Sequence, residues 1–403
     1  MGLFRLLLAI AVLLQHVNGC EYAMTGGATS VQTFYIISGF FIAMILDTKY
    51  SRPDQLWVFY SNRALRIYST YWLFLVAAIL MQFAAHLAVH RSLFDLWSQN
   101  SQRLGEIGPW YLALTNLFIF GQDLALFLAI GNHGLHWTTS FWQSSPIVPV
   151  FMLIAPAWSL SLELSFYLIA PWLLRKRVRW VIALIVLSLT IRLVLWHMGL
   201  RADPWSYRFF PNELGLFLLG ALSYRLIYRL YRNQIPSFRS KLFAFGIFPA
   251  VALFPLYDHS HGMFFSTTKL MYLGYVVFAL PMLFRWTGAI SLDRHLGELS
   301  YPLYLCHFSI VQMLNYYSFR LGVLSRAALA IVLSCGVAYL SVIALERPID
   351  RFRQSRLRRS ARFRKDSAPN PAHSLPVAEG ARETIGESGN GGIQDPATNG
   401  ELA

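Results

Sequence analysis

Residues 173–199 read LLRKRVRWVIALIVLSLTIRLVLWHMG. The cations Arg175, Lys176, Arg177 and Arg179 lead into an apolar run over 178–199. An α-helix rises about 1.5 Å per residue, so about 20 apolar residues cover the roughly 30 Å of hydrocarbon in a bilayer. Cytoplasmic loops of membrane proteins collect Lys and Arg. The stretch therefore reads as a transmembrane helix leaving a cytoplasmic loop, and the fold depends on how often the pattern recurs.

It recurs along most of the chain. Candidate crossings lie near 3–20, 31–47, 69–90, 150–172, 178–199, 211–230, 242–257, 267–285, 298–320 and 326–346, with 111–131 as a further apolar candidate. Basic loops punctuate them: Lys49, Arg52, Arg63 and Arg66 in 48–68, the 173–179 loop, Arg225 to Lys241, Arg285 with Arg294, and the segment after the last run. All of these face one side only if an even number of crossings separates neighbours. Counting 111–131 as a crossing puts an odd number between 48–68 and 173–179. That segment is therefore expected to be re-entrant, interfacial, or a broken helix whose backbone groups are satisfied inside the protein. The prediction is an all-α integral membrane protein with about ten transmembrane helices plus one such segment. Both termini are expected in the cytoplasm, and the membrane is expected to be a bacterial inner membrane. The first run has signal-peptide features, but Val17-Asn18-Gly19 lacks the small-residue cleavage pattern, and it reads as a retained helix.

Composition agrees. Hydrophobic residues make up 56% and charged ones 13%, against about a quarter charged in soluble proteins. The net charge of +14 raises the question of nucleic acid, but half of it sits in 347–366, just past the last run. That placement suits anionic lipid and cytoplasmic orientation, not nucleic acid. Beyond about 366 the chain is rich in Ser, Pro, Gly and Glu and is expected to be disordered. Residues 1–355 are thus expected to form the membrane domain and 356–403 a basic, then disordered, cytoplasmic tail. Cys20, Cys306 and Cys335 are scattered and suggest neither a disulfide framework nor a metal site.

Ionisable groups within apolar runs are costly and point to function. Arg5 and His16 are eleven residues apart, three turns plus about 20°, so they share a helix face roughly 16 Å apart. The plainer reading makes Arg5 an anchor and His16 a loop histidine. Arg63 and Arg66 point the same way at i and i+3, and guanidinium pairs suit phosphate. Glu163 stands in Trp158-Ser159-Leu160-Ser161-Leu162-Glu163-Leu164-Ser165-Phe166-Tyr167. It can pair with a cation, stay protonated, or hold a histidine in one tautomer. His307 lies in Ser300-Tyr301-Pro302-Leu303-Tyr304-Leu305-Cys306-His307, where a hydrogen-bonded core imidazole is the simpler role.

Over residues 1–355 these features together resemble the membrane acyltransferase-3 family, whose members O-acylate surface polysaccharides, peptidoglycan, nodulation signals and some antibiotics. Its Arg-x10-His matches Arg5 and His16, and its Arg-x-x-Arg matches Arg63 and Arg66. Further matches are Phe34 to Ile42 (FYIISGFFI), the Trp158–Tyr167 signature, the Ser300–His307 block, and Glu346-Arg347-Pro348. Leu164 replaces a frequent second acidic residue, and Gln32 or Thr33 stands where a carboxylate is common. The resemblance implies an O-acyltransferase moving an acyl group, acetyl being the commonest, from acyl-CoA to a hydroxyl of a cell-surface glycan. No tightly bound cofactor is implied, the acyl-CoA being a substrate. Arg5, Arg63 and Arg66 would hold the CoA phosphates. His16 would act as general base or carry the acyl group, and Glu163 would orient His16 or meet the acceptor. Ser38, Trp158, Ser161, Tyr304 and His307 are candidates for touching the acceptor or supporting the catalytic groups. A multi-span transporter shares the spans and buried charges but has no use for arginines at a CoA mouth.

Overall fold

In a computed structural model, residues 1–89, 92–234, 237–258, 266–317 and 321–366 are described. The apolar runs have become helices: α1 (Gly2–Gln15), α2 (Gly26–Thr48), α3 (Leu56–Val89), α4 (Leu93–Leu104) and α5 (Gly108–Phe118). A small hairpin of β1 (Leu128–Ile130) and β2 (Leu135–Trp137) follows, pairing Ala129 with His136. Then come α6 (Trp158–Leu173), α7 (Val178–His197), α8 (Phe210–Leu222), α9 (Arg229–Tyr231), α10 (Phe238–Phe245), α11 (Ile247–Tyr257) and α12 (Thr267–Thr287). The last are α13 (Ser291–Tyr317), α14 (Val323–Ser341) and α15 (Arg347–Asp366). The chain divides into a unit from Met1 to Leu357 and a second from Arg358, described as far as Asp366 and helical there. The disorder expected beyond 366 lies outside the described residues.

Six helical stretches among the described residues are long and apolar enough to cross a membrane: Gly26–Thr48, Pro53–Ala88, Val178–His197, Phe238–Tyr257, Thr267–Thr287 and Val323–Leu357. Their outer faces invert the soluble pattern. On α7, Ile182, Val186, Leu189 and Leu193 are all exposed, which suits lipid and not water. The other helices at sequence-predicted crossings are shorter or more polar. α1, α6 and α8 have 14, 16 and 13 residues, and α13 carries Asp293, Arg294 and Glu298. These are also the helices on which most of the candidate site residues sit.

α2 runs through the middle, packed on α1, α6, α8 and α12, while α13 lies against α1 and α14. The α2–α8 approach depends on two glycines. A Cβ at Gly39 would come within 1.8 Å of the Phe217 carbonyl oxygen, and one at Gly220 within 1.9 Å of the Ile36 oxygen. The two backbones touch where a larger residue would hold them apart.

The segment 111–131 is not one continuous helix. α5 stops at Phe118, and Ile119 and Gly121 take positive φ angles of 68° and 84°. The freed Gly121 groups are satisfied locally: its N–H donates to Ser161 Oγ at 3.0 Å, and its carbonyl accepts from Tyr111 at 2.7 Å. The crossing predicted over 150–172 becomes helical only at Trp158. Residues 148–157 form short 3₁₀ turns at Pro149 and Pro156, with Asn116 bonding the Phe151 carbonyl and the Leu153 N–H at 3.1 and 2.8 Å. In place of helix, this region joins α4, α5 and the hairpin around a separate small core of Leu104, Leu112, Ile130, Val148 and Phe151. α3 begins well before residue 69, so Arg63 and Arg66 are inside a helix and not ahead of one.

Candidate active site

Two chambers lie between the helices. The first, about 280 Å³, is walled by α1, α2, α3, α6 and α13 and contains Arg5, Arg63, Arg66, Ser38, Glu163 and Tyr167. The second, about 980 Å³, contains His16, Trp158, Tyr207 and Arg208 together with residues 23–29 at the entry to α2. Val31 and Tyr304 line both. Tyr304 and Ser159 are hydroxyl to hydroxyl at 2.7 Å, and the Tyr304 hydroxyl also lies 3.2 Å from the Pro156 carbonyl it can donate to. This pair of side chains stands where one chamber gives way to the other.

The arginine chamber has an unusual charge balance. Arg5, Arg63 and Arg66 make no side-chain hydrogen bond or ion pair among the described residues, and Nε of Arg5 and of Arg63 is buried without a partner. One carboxylate shares the cavity, and its Oε1 is taken by hydroxyls. Glu163 accepts from Ser38 Oγ at 2.5 Å and from the Tyr167 hydroxyl. Three guanidiniums thus share the cavity with one carboxylate, so two positive charges remain, which is costly unless a ligand supplies further anion. Planar forks of this kind match phosphate oxygens.

In the histidine chamber, α1 ends at Gln15 and His16 caps it, its N–H bonded to Leu13 and Leu14 carbonyls. The His16 carbonyl accepts from Asn315 Nδ2 at 3.1 Å, which ties this end of α1 to α13. The imidazole meets the His307 ring at 5.5 Å and the Phe308 ring edge-on at 5.2 Å. His307 is fully buried; its Nδ1 lies 2.8 Å from the Tyr304 carbonyl, which can only accept, so the proton sits on Nδ1 and Nε2 is left without a partner. Arg208, from the loop between α7 and α8, lines the same chamber as His16. It is bonded to Asp203 at 2.6 and 3.0 Å and to the Tyr207 hydroxyl at 2.6 Å, and its guanidinium lies 4.3 Å from the Trp158 ring centroid. Burial works against its charge, but Tyr207 and Asp203 outweigh burial and hold its pKa above the ordinary arginine value.

Comparison with known proteins fits this arrangement. A family model described as an acyltransferase domain, that of the acyltransferase-3 family, matches residues 2–346. The chain belongs to that family. The acyltransferase is 27% identical over 376 residues to the Bacillus subtilis (strain 168) protein named "Putative peptidoglycan O-acetyltransferase YrhL", covering 86% of this chain and 54% of that relative. It is 23% identical over 215 residues to an uncharacterized protein of Aquifex aeolicus (strain VF5), covering 51% of this chain and 91% of that one. The chain thus spans about half the length of the first of these relatives. No solved structure matches it.

The acyltransferase brings Arg5, Arg63, Arg66, Glu163 and Ser38 into one chamber and His16 and Trp158 into the other, with Tyr304 between. Two sequence expectations need correction. Glu163 does not orient His16: it is in the arginine chamber and bonded to Ser38 and Tyr167, because α6 carries it a turn and a half from the Trp158 end. Ser161 touches neither chamber; its hydroxyl donates to Asp123 at 2.6 Å and pins the broken segment after α5. His307 lines no chamber and has the simpler of its two expected roles, a buried hydrogen-bonded imidazole packed against His16.

Two groups escaped the sequence reading. Arg208 sits in a loop, and its signal was the charged pair Asp203 and Arg208 on either side of Trp205 and Tyr207. Glu213 is completely buried on α8, bonded to Arg192 at 2.7 Å and to Gln32 Nε2 at 3.2 and 3.0 Å.

Proposed function

We propose that the protein transfers an acyl group, acetyl by preference, from acyl-CoA to a hydroxyl of a cell-surface glycan. The donor's phosphates occupy the arginine chamber, reached from the cytoplasm of a bacterial inner membrane. Its thioester passes the Tyr304–Ser159 pair to His16, which takes the acceptor's proton. The observation that carries this is the set of three guanidiniums, without a hydrogen-bonded side-chain partner among the described residues, in a cavity sharing its wall with the one that holds His16. Arg5 and His16 stand on one helix about 16 Å apart, so one donor serving both must be long and thin, as a pantetheine arm is.

Chain direction supports this sidedness. α1 carries Arg5 before His16, and α13 carries Tyr301 before His307, while α6 runs the other way from Trp158 to Glu163 and on to the basic 175–179 loop. The same loop charges support a cytoplasmic side for the arginine chamber. The glycan acceptor is suggested by the name of the Bacillus subtilis relative and by the aromatic lining of the histidine chamber, with Trp142, Trp158 and Phe308. The test is transfer by the purified protein in proteoliposomes, with acetyl-CoA as donor and chitopentaose as acceptor. The expected result is acetyl ester on the sugar with release of free CoA thiol. Thiol release at background rates with no ester formed rejects the reading.

A further inference from the structure

General-base removal of a proton leaves half of acyl transfer unsupported. When a hydroxyl attacks a thioester, negative charge develops on the carbonyl oxygen. Fixed hydrogen-bond donors aimed at that oxygen commonly supply the largest single part of the rate. His16 cannot both take the proton and serve this oxygen, so a donor has to come from elsewhere in the histidine chamber.

Arg208 has the geometry for it. Nε and Nη2 are consumed by Asp203 and Tyr207. Its guanidinium carbon lies 4.3 Å from the Trp158 ring centroid and 4.7 Å from that of Tyr207, and those two rings pack edge to face. Nη1 alone has no protein acceptor among the described residues, and it is not among the fully buried atoms that lack one, so its hydrogens are open to the cavity. Arg208 lines the cavity together with His16, and it is the charged group whose field reaches His16. Because Asp203 neutralises most of the net charge, what remains is not a general anion trap. It is a rigid pair of N–H bonds held in one direction, as preorganised stabilisation requires.

We propose that Arg208 is a catalytic residue whose Nη1 donates hydrogen bonds to the acyl carbonyl oxygen during transfer, with Asp203, Tyr207 and Trp158 as positioning residues. The step balances without another reactant. A lone pair of the acceptor oxygen forms the new C–O bond, the carbonyl π pair moves to oxygen under Arg208, and His16 takes the hydroxyl proton. The oxygen pair then re-forms C=O, the C–S bond breaks with its electrons on sulfur, and His16 returns the proton to the thiolate. Ester and free thiol result. The same donor serves if the acyl group first rests on His16, since that attack builds the same oxyanion.

The inference rests on the acyl-transfer reading above, and the test separates the two. Wild type, Arg208→Gln, Arg208→Lys and Asp203→Asn are compared in proteoliposomes with acetyl-CoA and chitopentaose, and acetyl-CoA binding is measured separately on each. Arg208→Gln is expected to lower kcat by about 10²–10³-fold. KM for chitopentaose, acetyl-CoA affinity and the shape of the pH profile should stay as in wild type. Arg208→Lys, which keeps a charge but not the fork, should also lose kcat. Asp203→Asn, which keeps the guanidinium but frees it, should fall between wild type and Arg208→Gln. A raised chitopentaose KM with kcat intact, or wild-type kinetics in both Arg208 variants, overturns the proposal. If Arg208→Gln no longer binds acetyl-CoA because its fold is lost, the Arg208→Lys protein decides by the same criteria. Absence of transfer in wild type instead sinks the acyl-transfer reading, and this proposal with it.

Discussion

At the residue scale, the division of labour between the chambers separates effects on binding from effects on chemistry. His16→Gln removes the proposed base while Arg5, Arg63 and Arg66 remain in place in their own cavity. Its kcat should fall by about 10²–10⁴-fold, the usual contribution of a general base, while acetyl-CoA affinity is retained. Arg63→Met and Arg66→Met should behave oppositely. Each removes charge-assisted hydrogen bonds worth about 1.5–3 kcal/mol, so acetyl-CoA Kd should rise roughly 10- to 100-fold with kcat largely kept. Titration of acetyl-CoA binding alongside turnover checks both. A His16→Gln protein with full kcat ends its role as base. The cations and His16 were legible because an ionisable residue in an apolar run is conspicuous and helical periodicity assigns its face. The role of Glu163 was not legible: a one-dimensional pattern cannot say which of several buried groups a carboxylate meets. Arg208 was hidden for the opposite reason, since a charged residue in a loop between spans attracts no notice until the loop is seen folded over Trp158.

At the element scale, helix identity could be read but helix limits could not. Hydropathy marks the apolar centre of a helix, whereas its ends are set by caps, prolines and side chains that capture freed backbone groups. Asn116 and Ser161 do this for the chain around α5 and before α6. Ser161→Ala should therefore leave kcat unchanged and lower stability by about 1–3 kcal/mol, because Asp123 and the Gly121 N–H lose their partner. Thermal unfolding in detergent, measured alongside turnover, distinguishes this from a catalytic role. The α2–α8 contact gives a sharper case. Gly39→Ala places a methyl 1.8 Å from the Phe217 oxygen, and backbone cannot step aside as a flexible side chain can. Overpacking of this kind costs about 1–3 kcal/mol or more, so a clear drop in Tm is expected, and an unchanged Tm contradicts the close approach. Ser38 is adjacent to Gly39, so the variant should also disturb the Ser38–Glu163 bond and with it the arginine chamber.

At the scale of the whole molecule, the proposed reaction needs the two chambers to face opposite sides of the membrane, and loop charge assigns the sides. The 173–179 loop follows the Glu163 end of α6, and the β1–β2 hairpin belongs to the region that packs near the Trp158 end. In a background with Cys20, Cys306 and Cys335 replaced, Lys176→Cys and Asn132→Cys place one thiol at each of these exposed positions. A membrane-impermeant maleimide applied to spheroplasts should label Asn132→Cys directly and Lys176→Cys only after permeabilisation. The reverse pattern puts the arginines on the outer side, where no acyl-CoA is available, and overturns donor delivery from the cytoplasm. Labelling of both in intact spheroplasts places the two positions on one side and breaks the link between chain direction and membrane crossing. The expected pattern leaves the Tyr304–Ser159 pair as the point a thioester has to pass, and Tyr304→Ala, which opens that point, should then raise the hydrolytic leak of acetyl-CoA relative to transfer.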